Sequence, residues 1–187
     1  MAAAILVVAA AVALRITSDD GADVAPIPSN GGTPTSVAST APATTLDARG
    51  TAKAAVIDAY KKSYEEFVAV AKERSPSPDD PRLSRYSTGS ALIAKQRAVA
   101  DNKSKNLVLV GDVEVHATVL DIGADTATIV DCNLDRTALV DARTGTTVVD
   151  AGPPGGLAIT AKLRFEGGAW KVSDFTNEKR SCVPPAA

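Results

Sequence analysis

The sequence is poor in the residue types on which metal, redox and nucleic-acid chemistry depend. It contains one histidine and two cysteines, and no run of Lys or Arg is longer than a pair. Such a set lacks the Cys/His clustering of zinc sites and the Cys-x-x-Cys spacing of redox sites. A net charge of −2 also lacks the dense positive surface that nucleic-acid binding requires. We therefore predict no metal, no cofactor and no nucleic-acid partner.

Familiar catalytic motifs are missing as well. No serine occupies a nucleophile elbow. Residues 152–156 (GPPGG) do not form a phosphate loop, because two prolines interrupt the glycines and no lysine follows. Aromatic residues make up only 4% of the chain, so its core must be built mainly from aliphatic side chains. Hydrolase and nucleotide-dependent functions have no support in these patterns.

The N-terminal part predicts an exported protein. Ala2–Leu14 is uncharged and its length matches the apolar region of a signal peptide better than a span of roughly 20 residues. Arg15 follows this run and no basic residue precedes it, so the usual positive start of a signal peptide is missing. A cleaved signal peptide and an uncleaved signal anchor both remain open. A buried first helix is disfavoured, because the residues that follow would not connect it tightly to a core.

Three segments follow from composition. Residues 1–16 are predicted to be the signal peptide or anchor, and residues 17–45 a flexible linker rich in Thr, Pro, Ala and Gly. Residues 46–187 are predicted to form one domain. We expect this domain to be extracytoplasmic, either membrane-anchored through the N-terminal segment or secreted.

The two cysteines, Cys132 and Cys182, allow one intramolecular pairing. A disulfide between them would close a loop of 50 residues, which chain entropy converts into about 4 kcal/mol of stability. A structural disulfide is favoured over a reactive or metal-binding pair, and it agrees with an oxidising compartment.

Helical periodicity dominates the first half of the predicted domain. Apolar residues at three- and four-residue steps predict a helix over Thr51–Arg74. An acidic cap at Asp80 followed by Pro81 predicts a short helix to about Tyr86. A third helix is predicted over Ser90–Asn102.

A period of two dominates the second half. It predicts a strand over Leu107–Val119, a turn at Asp121–Asp125 and a strand over Thr126–Leu134 that carries Cys132. Two further hairpins are predicted, one pairing Thr137–Val140 with Thr146–Val149 and one pairing Leu157–Phe165 with Ala169–Phe175. Helices followed by antiparallel strands indicate an α+β fold.

This order, together with several short motifs, resembles the NTF2-like superfamily and, within it, the secreted or membrane-tethered actinobacterial proteins related to the Mce-associated proteins. The resemblance covers roughly Asp47–Cys182. It rests on Asp80-Pro81-Arg82-Leu83, Thr88-Gly89, Asp131-Cys132, Thr144-Gly145, Gly168-Ala169-Trp170-Lys171-Val172 and Ser181-Cys182. It implies a cone in which N-terminal helices pack on a strongly bent antiparallel sheet. It also implies an extracytoplasmic location, and it supplies no common catalytic motif.

His116 and Asp131 are the candidate catalytic pair, because a pocket-lining acid or histidine acts as general base in NTF2-like enzymes. A symmetric loop centred on Gly123 places His116 on the side of Val130 and Cys132, whereas a slip of one residue places it beside Asp131. The sequence leaves this register open. The alternation of the strand also puts His116 on its polar face, as expected of a surface histidine.

Aromatic residues are the candidate ligand-binding set. Tyr60, Tyr64, Phe67 and Trp170, with Phe165 and Phe175, would line a cone-shaped cavity for an apolar ligand. The alternative is that they form the core of a domain with few large side chains.

Three functions follow in order of preference. The first is a non-enzymatic extracytoplasmic accessory or interaction domain, tethered to the cell envelope and bound to an envelope protein. The second is a small apolar-ligand binding protein that uses the cone cavity. The third is an isomerase- or cyclase-like enzyme using His116 and Asp131.

Overall fold

The folded domain is described by a computed structural model over residues 44–149 and 155–184. The predicted signal segment, nearly all of the predicted linker and most of the 152–156 loop lie outside the described residues. Within the described ranges, no helix combines the length and apolar character needed to cross a membrane.

In the described residues, three helices precede the strands: α1 (Thr44–Ala71), α2 (Pro81–Arg85) and α3 (Gly89–Ser104). The start of α2 is as predicted. The Asp80 side chain accepts a hydrogen bond from the backbone N–H of Arg82 at 2.9 Å, and proline occupies the first helical position, where no N–H is needed.

The bounds of α1 differ from the predicted Thr51–Arg74. The helix begins earlier, at Thr44, because residues before the first apolar repeat are compatible with helix but carry no period that reveals it. It ends at Ala71, where the N–H of Glu73 turns back to the carbonyl of Val70 at 3.1 Å. α3 extends the predicted Ser90–Asn102 slightly at both ends.

Within residues 44–149 and 155–184, eight strands form two antiparallel sheets. The smaller sheet has the order β1-β5-β6, and the larger has the order β2-β4-β7-β8 with β3 also paired to β4. Their bounds are β1 Leu107–Val110, β2 Val113–Glu114, β3 Ala117–Ile122, β4 Thr126–Asp135, β5 Ala138–Asp141, β6 Thr147–Val149, β7 Gly156–Glu166 and β8 Ala169–Cys182.

The single strand predicted over Leu107–Val119 is wrong, because the chain breaks there into β1, β2 and the start of β3. Gly111 has a φ of 85°, a conformation open to glycine, and a Cβ at this position would collide with the carbonyl oxygen of Arg136. The break lets the chain pass from the small sheet to the large one.

The last hairpin is longer than predicted. β8 continues to Cys182, although its second half is polar and exposed and so lacks the alternation that identifies a strand. Irregular register interrupts the β7–β8 pairing between Leu157 and Ile159 and between Lys162 and Leu163. Such bulges bend strands, and they curve the sheet around the helices.

Helix α1 packs against the inner face of the large sheet. Val56 and Tyr60 of α1 meet Ile129 of β4, Leu163 of β7 and Val172 of β8 in one buried cluster. The predicted α+β architecture, with N-terminal helices packed on a bent antiparallel sheet, is confirmed.

The predicted disulfide is present. Cys132 of β4 and Cys182 at the end of β8 are bonded, with their Cα atoms 5.8 Å apart. The bond passes over the intervening strand β7 at Gly156, where a Cβ would lie 2.5 Å from the Cys132 Sγ and 2.8 Å from the Cys182 Sγ. Only glycine leaves room for this crosslink.

We predict that Gly156→Ala prevents or strains the disulfide. The added methyl group overlaps both sulfur atoms, so denatured, unreduced protein should show two reactive thiols per chain. Loss of the crosslink should cost about 4 kcal/mol of unfolding free energy. Gly50→Ala is the control, because its Cβ meets nothing within 4 Å. An intact disulfide and unchanged stability in Gly156→Ala would contradict the prediction.

Candidate ligand-binding site

A cavity of about 150 Å³ lies between helices α1 and α3 and strand β8. α1 supplies aromatic side chains at helical spacing, α3 supplies small residues, and β8 closes the far wall. The lining residues are Tyr60, Ser63, Tyr64, Phe67, Ala94, Lys95, Ala98, Val172 and Phe175. Most of this wall is apolar, and Lys95 is the one ionisable amine among the lining residues.

The structure brings three of the four predicted ligand-binding residues together. Tyr60, Tyr64 and Phe67 line the cavity, with the rings of Tyr60 and Tyr64 edge to face at a centroid distance of 5.3 Å. Trp170 does not belong to this set. It packs edge to face on Phe165 at 5.5 Å, beside a separate depression.

Lys95 of α3 forms the polar part of the cavity wall. It is 7% exposed, and its Nζ donates to the Ser63 carbonyl oxygen at 2.6 Å and to the Ser87 Oγ at 3.0 Å. It also contacts the Ser63 Oγ, and the two serine hydroxyls are hydrogen-bonded to each other at 2.9 Å. Among the described residues, no carboxylate pairs with this amine.

Burial without a counter-charge changes the ionisation of Lys95. Removal of the amine from water disfavours its charged form and lowers the pKa of Lys95 from 10.5 to about 7. A substantial share of the amine is therefore uncharged near neutral pH. Strongly shifted groups in a cavity are candidates for functional residues, and here the geometry supports that inference.

A second buried polar cluster surrounds Asp131 on β4. Its carboxylate accepts hydrogen bonds from the Tyr60 hydroxyl at 3.1 Å, the backbone N–H of His116 at 2.6 Å and the Asn133 side-chain amide at 3.3 Å. Burial raises the pKa of Asp131, and these donors oppose the rise. Tyr60 belongs to this cluster and to the cavity wall, so the two sites share a side chain.

In the candidate pair, the contact runs from the backbone N–H of His116 to the Asp131 carboxylate and does not involve the imidazole ring. Asp131 lies opposite Ala117 in the β3–β4 register, and the N–H of Cys132 donates to the His116 carbonyl. His116 thus falls on the face of Cys132, which the symmetric loop predicts, although the observed register is offset from that loop by two residues. Its Nε2 lies 3.0 Å from a Glu114 oxygen, outside hydrogen-bonding geometry. Neither His116 nor Asp131 lines the cavity described above.

Lys95, Ser63 and Ser87 are not among the residues predicted from the sequence. A signal for Lys95 was present, because Ala91, Lys95 and Val99 follow each other at four-residue steps and all three are buried on one face of α3. A lysine at a core position of an amphipathic helix marks a buried amine. In the described part of the chain, no group of three or more His, Cys, Asp or Glu side chains is placed to hold a metal ion.

Comparisons with known proteins agree with this fold. No family model and no curated protein matches the chain. The intermembrane space region of the chloroplast protein ARC6 is similar in structure, with a TM-score of 0.51 and 14% identity over 67% of this chain and 95% of that one. At this identity the likeness shows the fold alone.

Two bacterial proteins show weaker likenesses. An NTF2-like protein with a cystatin-like fold from Novosphingobium aromaticivorans has a TM-score of 0.36 and 16% identity over 76% of this chain and 94% of its own. A domain of unknown function with a cystatin-like fold from Nostoc punctiforme has a TM-score of 0.30 and 14% identity over 74% and 80%. The fold assignment rests on the topology and not on these two likenesses.

We predict that Lys95 makes stability rise with pH above neutrality. The unfolded chain keeps the proton of Lys95 up to about 10.5, whereas the folded chain releases it near 7. Between these values the unfolded state binds more protons, so the free energy of unfolding increases with pH by at most about 1.4 kcal/mol per unit.

Lys95→Met, which keeps an unbranched side chain without the amine, tests this prediction. Urea denaturation of both proteins between about pH 7 and about pH 9 should show a steeper rise for the natural protein. Equal slopes in the two proteins would contradict a buried amine that loses its proton on folding.

Proposed function

We propose that this domain binds a small, largely apolar molecule in the cavity between α1, α3 and β8. The observation that carries the proposal is a buried amine in an otherwise apolar wall. Apolar side chains supply most of the contact area, and Lys95 with its two serines supplies one fixed polar point. Binding sites for small molecules have this composition, with a few placed polar groups in an apolar concavity.

The size of the cavity limits the ligand. A volume of about 150 Å³ is that of an apolar cavity able to hold one benzene molecule. The ligand is thus of the size of a single six-membered ring with a small polar substituent. Tyr60, Tyr64 and Phe67 would contact such a ring edge-on or in offset geometry, as aromatic pairs prefer.

The cellular setting forms the second half of the proposal. We infer an extracytoplasmic accessory domain without enzymatic turnover, held at the cell envelope by residues 1–16 and reaching an envelope protein partner through the 17–45 linker. The Cys132–Cys182 disulfide supports an oxidising compartment. The kinship with Mce-associated proteins belongs to this proposal and rests on the short motifs quoted above.

If the cavity binds a ligand, a larger side chain in its wall should weaken binding. Ala98 is a half-buried lining residue of α3, so Ala98→Leu should occupy space that a ring requires. Benzyl alcohol is a suitable probe, and we expect it to shift the methyl NMR signals of Ala94, Ala98 and Val172 in the natural protein. In Ala98→Leu its affinity should fall by at least about tenfold, which corresponds to about 1.4 kcal/mol.

Ala100→Leu is the matched control for this experiment. Ala100 is also half-buried on α3 but does not line the cavity. Unchanged binding in Ala100→Leu with weak binding in Ala98→Leu supports the proposal. Native mass spectrometry of protein purified from its own host would then identify a copurifying ligand. Absence of benzyl alcohol shifts in the natural protein would overturn the proposed site.

The location predicts the oxidation state of the cysteines in cells. Rapid acid quenching and alkylation of intact cells should leave Cys132 and Cys182 unmodified until a reductant is added. A chain lacking residues 1–16 should stay in the cytoplasm and carry alkylated thiols, since cytoplasmic thiols are kept reduced. Equal alkylation of the two proteins would refute an exported domain.

A further inference from the structure

The Lys95 side chain lines the space that a ligand would occupy. Its Nζ lies 5.5 Å from the centroid of the Tyr64 ring and 6.0 Å from that of Phe67, and both rings line the cavity. Ser63, a hydrogen-bond partner of the amine, lines the same cavity. A molecule in the cavity therefore packs against the Lys95 side chain and the two rings that lie beside its nitrogen.

The hydrogen bonds around Lys95 accommodate an uncharged amine as well as a protonated one. Four contacts join Nζ, the two serine hydroxyls and the Ser63 carbonyl oxygen. A protonated amine and two hydroxyls carry five protons, of which these contacts use four, and a neutral amine and two hydroxyls carry four. In the neutral form, one hydroxyl donates to the lone pair of the nitrogen.

An uncharged lysine in an apolar pocket is a nucleophile. Desolvation lowers the pKa of Lys95 to about 7, so about half of the amine is free at pH 7, compared with fewer than about one in a thousand for an ordinary surface lysine. Amines desolvated in this way attack carbonyl carbons to form Schiff bases.

We propose that Lys95 captures a small aldehyde or ketone in this cavity as a reversible imine. The Nζ lone pair attacks the carbonyl carbon, the carbon–oxygen π bond breaks and a proton passes from nitrogen to oxygen. The resulting carbinolamine then loses its hydroxyl group and the second nitrogen proton, which leave together as one water molecule. A carbon–nitrogen double bond forms. The Ser63 and Ser87 hydroxyls lie at hydrogen-bond distance to move these protons.

The cavity favours a carbonyl compound over a carboxylate ligand. A carboxylate would bring a negative charge into an apolar wall and would need the protonated amine, whose donors already point to Ser63 and Ser87. An aldehyde or ketone brings no charge and consumes the neutral amine that burial produces. This inference rests on the proposed ligand-binding function, because the cavity must hold the carbonyl compound beside Nζ.

Reductive trapping tests the inference on the full chain. Benzaldehyde, with one ring and one carbonyl group, is added at pH 7 with cyanoborohydride, and peptide mapping locates the benzylated lysines. We expect Lys95 to react at least about tenfold faster than the exposed Lys103 and Lys105 of the same molecule. Its rate should level off above about pH 7, whereas the rates of the exposed lysines should keep rising.

Benzyl alcohol, which has the same shape without the carbonyl, separates the two proposals. If it competes with labelling of Lys95 and not of Lys103, the imine forms inside the cavity. If it binds the cavity but Lys95 reacts no faster than Lys103, the imine is overturned and ligand binding stands. Fast labelling of Lys95 without any binding of benzyl alcohol would support the nucleophile and overturn the apolar-ligand site. Lys95→Arg, which keeps a cation, should lose the adduct.

Discussion

Burial of ionisable groups against helix α1 is the constraint around which the interior is arranged. An aliphatic core gives a charged amine or carboxylate nothing to bind, so each must find hydrogen-bond partners or lose its charge. α1 meets this need from one face, with the Tyr60 hydroxyl toward Asp131 and Ser63 toward Lys95. Ser87, in the segment joining α2 and α3, completes the shell around the amine. The packing of three helices and the sheet is thereby fixed at two polar points.

The cavity lies beside the polar contacts of Lys95. Lys95 reaches across from α3 to Ser63 of α1, where a shorter apolar residue would let the helices close. Val172 of β8 bridges to Ser87 in a parallel pair and forms part of the opposite wall. The residue that sets the chemistry of the cavity thus also helps to set its width. Substitution of Lys95 changes both properties, so only readouts specific to the amine separate them.

Local signals made part of this molecule predictable. Residues adjacent in sequence determine the Asp80-Pro81 start of α2 and the β5–β6 hairpin. The disulfide was predictable because two cysteines allow only one intramolecular pairing. The early start of α1 and the polar end of β8 carry no hydrophobic period, and tertiary contacts decide them. The aromatic part of the site was predicted because Tyr60 to Phe67 share one helix face. Lys95 was not predicted: its spacing from Ala91 and Val99 marks a core position, but its contact with Ser63, 32 residues away, depends on packing.

The disulfide connects the location of the protein to the anchoring of its last strand. β8 supplies Val172 and Phe175 to the cavity wall, and its exposed second half has only β7 as a hydrogen-bonded neighbour within the large sheet. Edge strands of this kind are the least firmly held part of a sheet. The bond from Cys182 back to Cys132 ties the free end of β8 to the central strand β4, across Gly156. In a reducing compartment the end of β8 would lose this crosslink, whereas Val172 would keep its backbone hydrogen bonds to Tyr86 and Thr88. An oxidising environment therefore fixes the exposed second half of β8, which follows the residues that line the cavity.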